Sequence, residues 1–291
     1  MKADIIAKCS GQKRPRYLRE CVTVYFQLVD AAQLLQFCTL TLGLEEGFTR
    51  FNCEGLTMGN PELTLYELAA ADPAIRFSPH CWKSRLALAR KGLVVKRVPW
   101  HFTEKEAIAF SGHSTVPILI DGDRIVGDSW QIALHLEKNY PGRPSIFGGE
   151  FAIPLTRFIN SWSDSTLLPA LGRILAPDIF SHIRDADKDY FRTSREQRFG
   201  DTLDGLRTNR SAHLTNFREC LKPLRLLLKE QPFISGNEAA YADCCPFGMF
   251  LWAHCISSVE ILDMDDPVFS WRERMLDAFG GLGRSADSVA K

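Results

Sequence analysis

The sequence predicts an α/β domain over residues 58–147 followed by an all-α domain over residues 151–284. Three observations carry this expectation. Between residues 63 and 139, strand-like and helical patterns alternate in the order strand, helix, strand, helix, strand, strand, helix. Beyond residue 150 no convincing strand pattern remains. Between the first strand and the first helix stands Phe77-Ser78-Pro79-His80-Cys81-Trp82. Ser followed by Pro is a strong helix start, because Ser caps free N–H groups and Pro fits the first helical position.

Each element follows in order. Residues 63–68 read as a strand, and a helix covers about 80–91, ending at Lys91-Gly92 with a cationic last turn and a Gly stop. Residues 94–98 form the second strand. Thr103 is placed to cap a short helix over 104–110, with Glu104 and Glu106 in its first turn. Residues 116–120 are a buried apolar strand, Asp121-Gly122 is a hairpin signal, and residues 124–126 return antiparallel. Asp128-Ser129 then opens a helix to about Asn139, closed by Pro141-Gly142. Proline cannot donate to a ladder, so Pro117 belongs at a strand start or edge. It is either a trans strand initiator or a cis proline that turns the Val116 backbone outward to pair with a peptide ligand.

In the helical remainder, Phe158, Ile159 and Trp162 share one face, which Leu167, Leu168 and Leu171 extend. Residues 193–206 are amphipathic, and residues 221–228 are apolar on one side. Residues 243–256 are expected to be the central buried helix, where Pro246 fits only in the first turn. Residues 207–210 are a basic cluster and read as a solvated loop. Residues 271–279 close the domain before Gly280-Gly281-Leu282-Gly283.

Composition bounds the function. Apolar residues make up 45% and charged residues 24% of 291, an ordinary globular balance. Lys plus Arg and Asp plus Glu are 35 each, so the net charge is zero, which argues against nucleic acid as main partner. The nine cysteines lack Zn-type CxxC pairs, so reduced thiols, a cytoplasmic protein and no metal site are expected. No apolar run is long enough to span a membrane. Residues 1–57 match nothing downstream and are expected to be a poorly ordered extension ahead of a natural start at Met58. Arg14, Arg16 and Arg19 suit a transit peptide, but Asp4, Glu20 and Asp30 count against one.

Free N–H groups and the helix dipole make the Ser78 helix start a site for an anion. The order of elements, Ser78-Pro79-His80-Cys81, Val116-Pro117 and Asp128-Ser129 together resemble the N-terminal domain of glutathione transferases. That resemblance implies a thioredoxin-like N-terminal domain followed by an all-α C-terminal domain. Ser78-Pro79-His80-Cys81 looks like the CxxC redox corner of that fold with its first Cys replaced by Ser. A hydroxyl can hydrogen-bond a thiolate but cannot form a mixed disulfide. Tyr190 to Gln197, Phe250-Leu251-Trp252-Ala253, Asp265-Asp266-Pro267, and Trp271 through Arg284 further resemble bacterial β-etherases and their fungal relatives. The likeness covers about residues 62–284. It departs at Ala240, where the family carries Ser, Thr or Asn three residues before its helix Asp, here Asp243.

The resemblance implies glutathione as co-substrate, a homodimer, and thiolate attack on hydrophobic aromatic electrophiles, including aryl β-ethers. Ser78 would activate the thiol, although it also serves as a plain N-cap. Lowering a thiol pKa from about 8.5 by about two units needs about 2.7 kcal/mol. A helix N-terminus supplies up to about 2 kcal/mol, and a hydrogen bond to a charged group about 1.5–3 kcal/mol. Val116 would pair with the cysteinyl backbone, with Pro117 shaping it. Asp128 and Ser129 would hold the γ-glutamyl end, and Lys105 or His113 the glycyl carboxylate. Phe158, Trp162 and Trp252 would line the electrophile pocket, though core packing explains each singly. His80 reads as a helix-start residue, Cys81 as structural, and Trp82 with Arg85 as a packing and salt-bridging pair. The alternatives are a non-catalytic binder of glutathione conjugates or aromatic ligands, a thiol oxidoreductase using Cys81, and a structural module.

Overall fold

A computed structural model describes residues 63–290. The expectations for residues 1–57 and for Met58 lie outside the described residues. Four strands form one mixed sheet: β1 (Leu63–Leu68), β2 (Val95–Trp100), β3 (Ile118–Asp121) and β4 (Arg124–Gly127), in the order β2-β1-β3-β4. β1 and β2 run parallel, from Leu63↔Val95 to Leu68↔Trp100, joined by helix α1 (Pro79–Arg90). β3 pairs antiparallel with β1 and with β4. β2 runs two residues past its expected end and includes Pro99. A proline is tolerated there because β2 is the sheet edge.

Residues 106–111 form a 3₁₀ turn rather than the helix expected over 104–110. Thr103 does not cap it. Both its N–H and its hydroxyl donate to Asp187 Oδ1 in the helical domain, at 2.9 and 2.7 Å. The hairpin turn at Gly122 has φ +57°, the left-handed conformation that Gly adopts without penalty. Helix α2 (Ser129–Asn139) then packs on α1.

The helical domain begins with α3 (Ala152–Trp162). It continues through a π-helical turn (Ser163–Leu167) into α4 (Leu168–His182) and α5 (Asp185–Phe199). The amphipathic stretch expected over 193–206 is two helices. Gly200, at φ +65°, ends α5, and α6 (Leu203–Thr208) starts afresh at its Thr202 cap. The basic cluster at 207–210 is not a solvated loop. It spans the end of α6 and the start of α7 (Arg210–Cys220), and Arg210 pairs with Asp178 at 2.6 Å. After α8 (Lys222–Leu227) comes α9 (Tyr241–Ile256), buried along nearly all its length as expected. It starts two residues earlier than expected, which moves Pro246 out of the first turn. Asp243 satisfies the loop before α9, accepting from the N–H groups of Ile234, Ser235 and Ala240 and from Trp271 Nε1. That carboxylate supplies the order that a capping side chain at Ala240 would have added. The last helix, α10 (Pro267–Gly281), leaves helical geometry at Ala278, where Phe279 and Gly280 turn to positive φ.

α9 is also the element that fixes α1. A Cβ at Gly248 would lie 2.6 Å from the Pro79 carbonyl oxygen, so only Gly lets α9 approach the first turn of α1 this closely. Among the described residues no helix is long and apolar enough to cross a membrane.

Candidate active site

The C-terminal end of β1, the N-terminal end of β3 and the start of α1 meet at one end of the sheet. There a cleft of about 420 Å³ opens between the two domains. Ser78 is the N-cap of α1, and its Oγ accepts from Cys81 N at 3.4 Å. That distance is long for a hydrogen bond, so the cap is weak. Ser78 lines the cleft while only 6% exposed, so little water competes for it.

The Val116–Pro117 peptide is cis, the second of the two expectations for Pro117. Val116 lines the cleft and Pro117 is buried behind it. Ile118 pairs with Gly127, so Pro117 and Asp128 sit one step beyond the same rung of the ladder. Asp128 has φ +70°, uncommon for a residue with a Cβ and costing about 1–3 kcal/mol. Its Oδ1 accepts from Trp130 N and Gln131 N at 3.0 and 3.1 Å, so it caps α2. Ser129 is buried, and its carbonyl accepts from the Tyr241 hydroxyl at 2.8 Å, which ties the start of α2 to α9. The His113 ring packs on Gly127, where any Cβ would meet it at 2.4 Å; this puts His113 beside Asp128 at the rim. Lys105 also lines the cleft, with Nζ over the Trp100 ring at 4.7 Å and donating to Ser114 O.

Two of the three expected pocket aromatics are elsewhere. Phe158 is 71% exposed on the outer face of α3, and Trp162 packs against the core; neither lines the cleft. α3 turns Phe158 outward and Trp162 into the core, and it is α4 and α5 that face the cleft. Trp252 does line it. Sequence reasoning missed the rest of the aromatic wall: Phe77, Trp100 and Phe102 from the α/β domain, Tyr190, Phe191 and Phe199 from α5. The spacing of Phe191 and Phe199, two helical turns apart, is the signal that was available in the sequence.

His80 and Asp164 form the polar floor. His80 Nδ1 lies 3.8 Å from Asp164 Oδ1. Although 34% of its side chain is accessible, desolvation and then the Lys83 cation hold the imidazole neutral, down to about 4, against the opposing pull of Asp164 and Asp128. Asp164 sits in the π-helical turn, an irregularity frequent at functional sites. Beneath the cleft, Glu67 is fully buried against Arg97 at 2.6 Å, Arg85 at 3.6 Å and Arg76 at 3.9 Å. Arg85 also stacks on Trp82 at 4.0 Å, as the pair was expected to do. Cys81 is 1% exposed, and burial, then Glu67, pushes its thiol up to about 12.

Two family descriptions match this chain: the glutathione S-transferase N-terminal domain over residues 73–144 and the C-terminal domain over residues 154–274. Together with the fold, they place the chain in the glutathione S-transferase superfamily. A curated relative, the glutathione S-transferase-like protein ustS of Aspergillus flavus, is 28% identical over 156 residues, or 49% of this chain. The match spans 56% of that relative's length. Among solved structures, a glutathione S-transferase of Ceriporiopsis subvermispora in complex with glutathione superposes with a TM-score of 0.68 at 21% identity. It covers 75% of this chain and 96% of its own. Glutathione transferase GSTFuA3 of Phanerochaete chrysosporium gives 0.61 at 21% identity, covering 77% and 94%. Glutaredoxin 2 of Salmonella typhimurium, in complex with glutathione, gives 0.58 at 19% identity, covering 78% and 99%. At these identities the superpositions show the shared architecture.

Proposed function

We propose that the protein is a glutathione transferase in which glutathione binds along the sheet end, its sulfur at Ser78. The observation that carries this is the Ser78 hydroxyl, nearly sealed from water, at the start of α1 in the wall of an aromatic cleft. The helix N-terminus and the hydroxyl both favour a thiolate there. Val116 pairs with the cysteinyl backbone. Asp128 and Ser129 hold the γ-glutamyl end at the start of α2, and Lys105, which lines the cleft, holds the glycyl carboxylate, since His113 stands beside Asp128 instead. Two of the superposed proteins are described with glutathione bound, which favours the same ligand here.

The thiolate attacks an electrophilic carbon of an aromatic substrate lying in the cleft. In aryl ether cleavage a C–S bond forms, the C–O bond breaks, and the phenolate leaves to take a proton from water. Cys81 is sealed and protonated, so disulfide exchange through it is not the chemistry of this site. The protein acts as a homodimer. Phe151, Leu155 and Phe158 form an exposed apolar stripe at 93, 71 and 71% accessibility along α3 and its approach, which a second copy would cover.

The test is retention of the full chain on immobilised glutathione, then turnover of a fluorogenic aryl β-ether and of a chlorinated aromatic. Retention with turnover of either substrate is the expected result. Retention without turnover identifies a ligand carrier, and no retention removes the glutathione site.

A further inference from the structure

Two cations in the wall of the cleft have no carboxylate partner. Arg195 and Arg198 stand on α5, three residues apart, and both line the cleft. Among the described residues neither makes an ion pair, and neither donates to a backbone carbonyl as Arg173, Arg207 and Arg274, which also lack an ion pair, do. The Arg195 guanidinium packs over the rings of Phe191 at 4.7 Å and Phe102 at 5.4 Å, and Nη1 donates to the Ser194 hydroxyl. Burial, then the neighbouring Arg198, pushes Arg195 down to about 10.

The negative charge available nearby is already used. Asp164 lines the cleft but is held by Lys83 at 2.6 Å, and His80 is neutral. Lys105 adds a further cation at the rim. The cleft is therefore positive within a chain of zero net charge. Stacking on aromatic rings accounts for Arg195 as a packing residue. It does not account for a second guanidinium one turn away, where like charges repel. An anion placed between them removes the repulsion, and two guanidinium forks match a carboxylate or sulfonate in geometry.

We infer that the electrophile this cleft accepts is an aromatic compound carrying an anionic group, a carboxylate or sulfonate, which Arg195 and Arg198 bind while the ring rests on the aromatic wall. This rests on the reading of the cleft as the electrophile site of a glutathione transferase. Equilibrium binding tests it without turnover, using 8-anilino-1-naphthalenesulfonate and N-phenyl-1-naphthylamine, which share their rings and differ in the sulfonate. The wild-type chain is expected to bind the sulfonate at least about tenfold more tightly at low salt. R195Q/R198Q should lose that margin while holding the neutral dye within about twofold. Because Arg198 is exposed, R198Q alone should lose part of the margin with no change in thermal stability.

Equal affinity of the wild type for the two dyes overturns the inference, as does a double variant that weakens both dyes alike. Glutathione retention is measured on the same proteins. A double variant that loses glutathione but keeps the dye margin also overturns it, by assigning the arginines to glutathione itself. A wild type that discriminates the dyes yet ignores glutathione leaves the anion site standing and removes the transferase reading.

Discussion

Lys83 Nζ lies 2.6 Å from Asp164 Oδ1, and this pair bolts the first helix of the α/β domain to the π-helical turn of the helical domain. Its two members are unequally placed. Lys83 is fully buried and also donates to Asn160 Oδ1, whereas Asp164 keeps 33% of its side chain in solvent. Asp164→Asn therefore strands a buried cation, while Lys83→Met leaves a carboxylate that can hydrate. We expect Asp164→Asn to cost about 3 kcal/mol, the low end for a broken buried pair because Asn160 remains as acceptor. Lys83→Met should cost clearly less. Urea denaturation of both variants checks the order, and the reverse order would mean that Asp164 is the member that depends on its partner.

Ser78→Ala removes a weak cap and, on the proposed function, a thiolate donor. The cap accounts for about 1 kcal/mol of stability. A hydrogen bond to a charged group contributes about 1.5–3 kcal/mol, so the bound glutathione thiol should titrate about one to two units higher and turnover at neutral pH should fall about tenfold or more. Thiolate absorbance against pH reads this directly. An unchanged titration would reduce Ser78 to a cap.

His80 makes stability depend on pH above the usual carboxylate range. Its folded pKa of about 4 lies below the ordinary histidine value of 6.5, so the unfolded chain takes a proton that the folded chain refuses. Stability is therefore full above pH 6.5 and is lost as pH falls towards 4. His213, also lowered by burial, acts in the same direction. Partial exposure of His80 screens the effect. Between pH 7 and 4 the melting temperature of the wild type should fall further than that of His80→Asn; parallel curves would contradict the assignment.

Cys81, Cys244, Cys245 and Cys255 are all buried. Burial raises the first three thiols, Cys81 and Cys245 to about 12. Iodoacetamide at neutral pH should leave these four unmodified in the native protein and label them only after unfolding, as mapped by peptide mass spectrometry. Native labelling of Cys81 would reopen disulfide chemistry at this corner.

Gly248→Ala places a methyl group 2.6 Å from the Pro79 carbonyl oxygen, a backbone atom that cannot swing aside. The helices must part, at a cost of about 1–3 kcal/mol, and the start of α1 moves with them. Activity should fall although Gly248 does not line the cleft. Full activity in a destabilised variant would show that the active end of α1 is held by other contacts.

Much of this fold was legible because local chemistry and tertiary position agree. Ser78-Pro79, Asp121-Gly122 and Asp128-Ser129 each mark a boundary by backbone geometry alone, and each boundary stands where its residues put it. Thr103 misled because a capping hydroxyl and a hydroxyl bonded to a distant carboxylate look the same in sequence; Asp187 is 84 residues away. Phe158 and Trp162 misled for a related reason. Helical spacing shows that a face is apolar, not what covers it, and the apolar face of α3 is turned away from the cleft. The charge relations of the site were beyond reach. Nothing local in Arg195 or Arg198 says that they lack partners, since that depends on where every carboxylate in the fold ends up.

Phe191, Arg195 and Phe199 occupy successive turns of one face of α5, while Ser78, Val116 and Asp128 belong to other elements altogether. On the proposed function, the substrate contacts of α5 and the thiol activation at Ser78 thus lie on separate elements. Replacing that one helical face would change part of the aromatic wall and leave Ser78 in place, which makes α5 the natural place to begin a directed-evolution library.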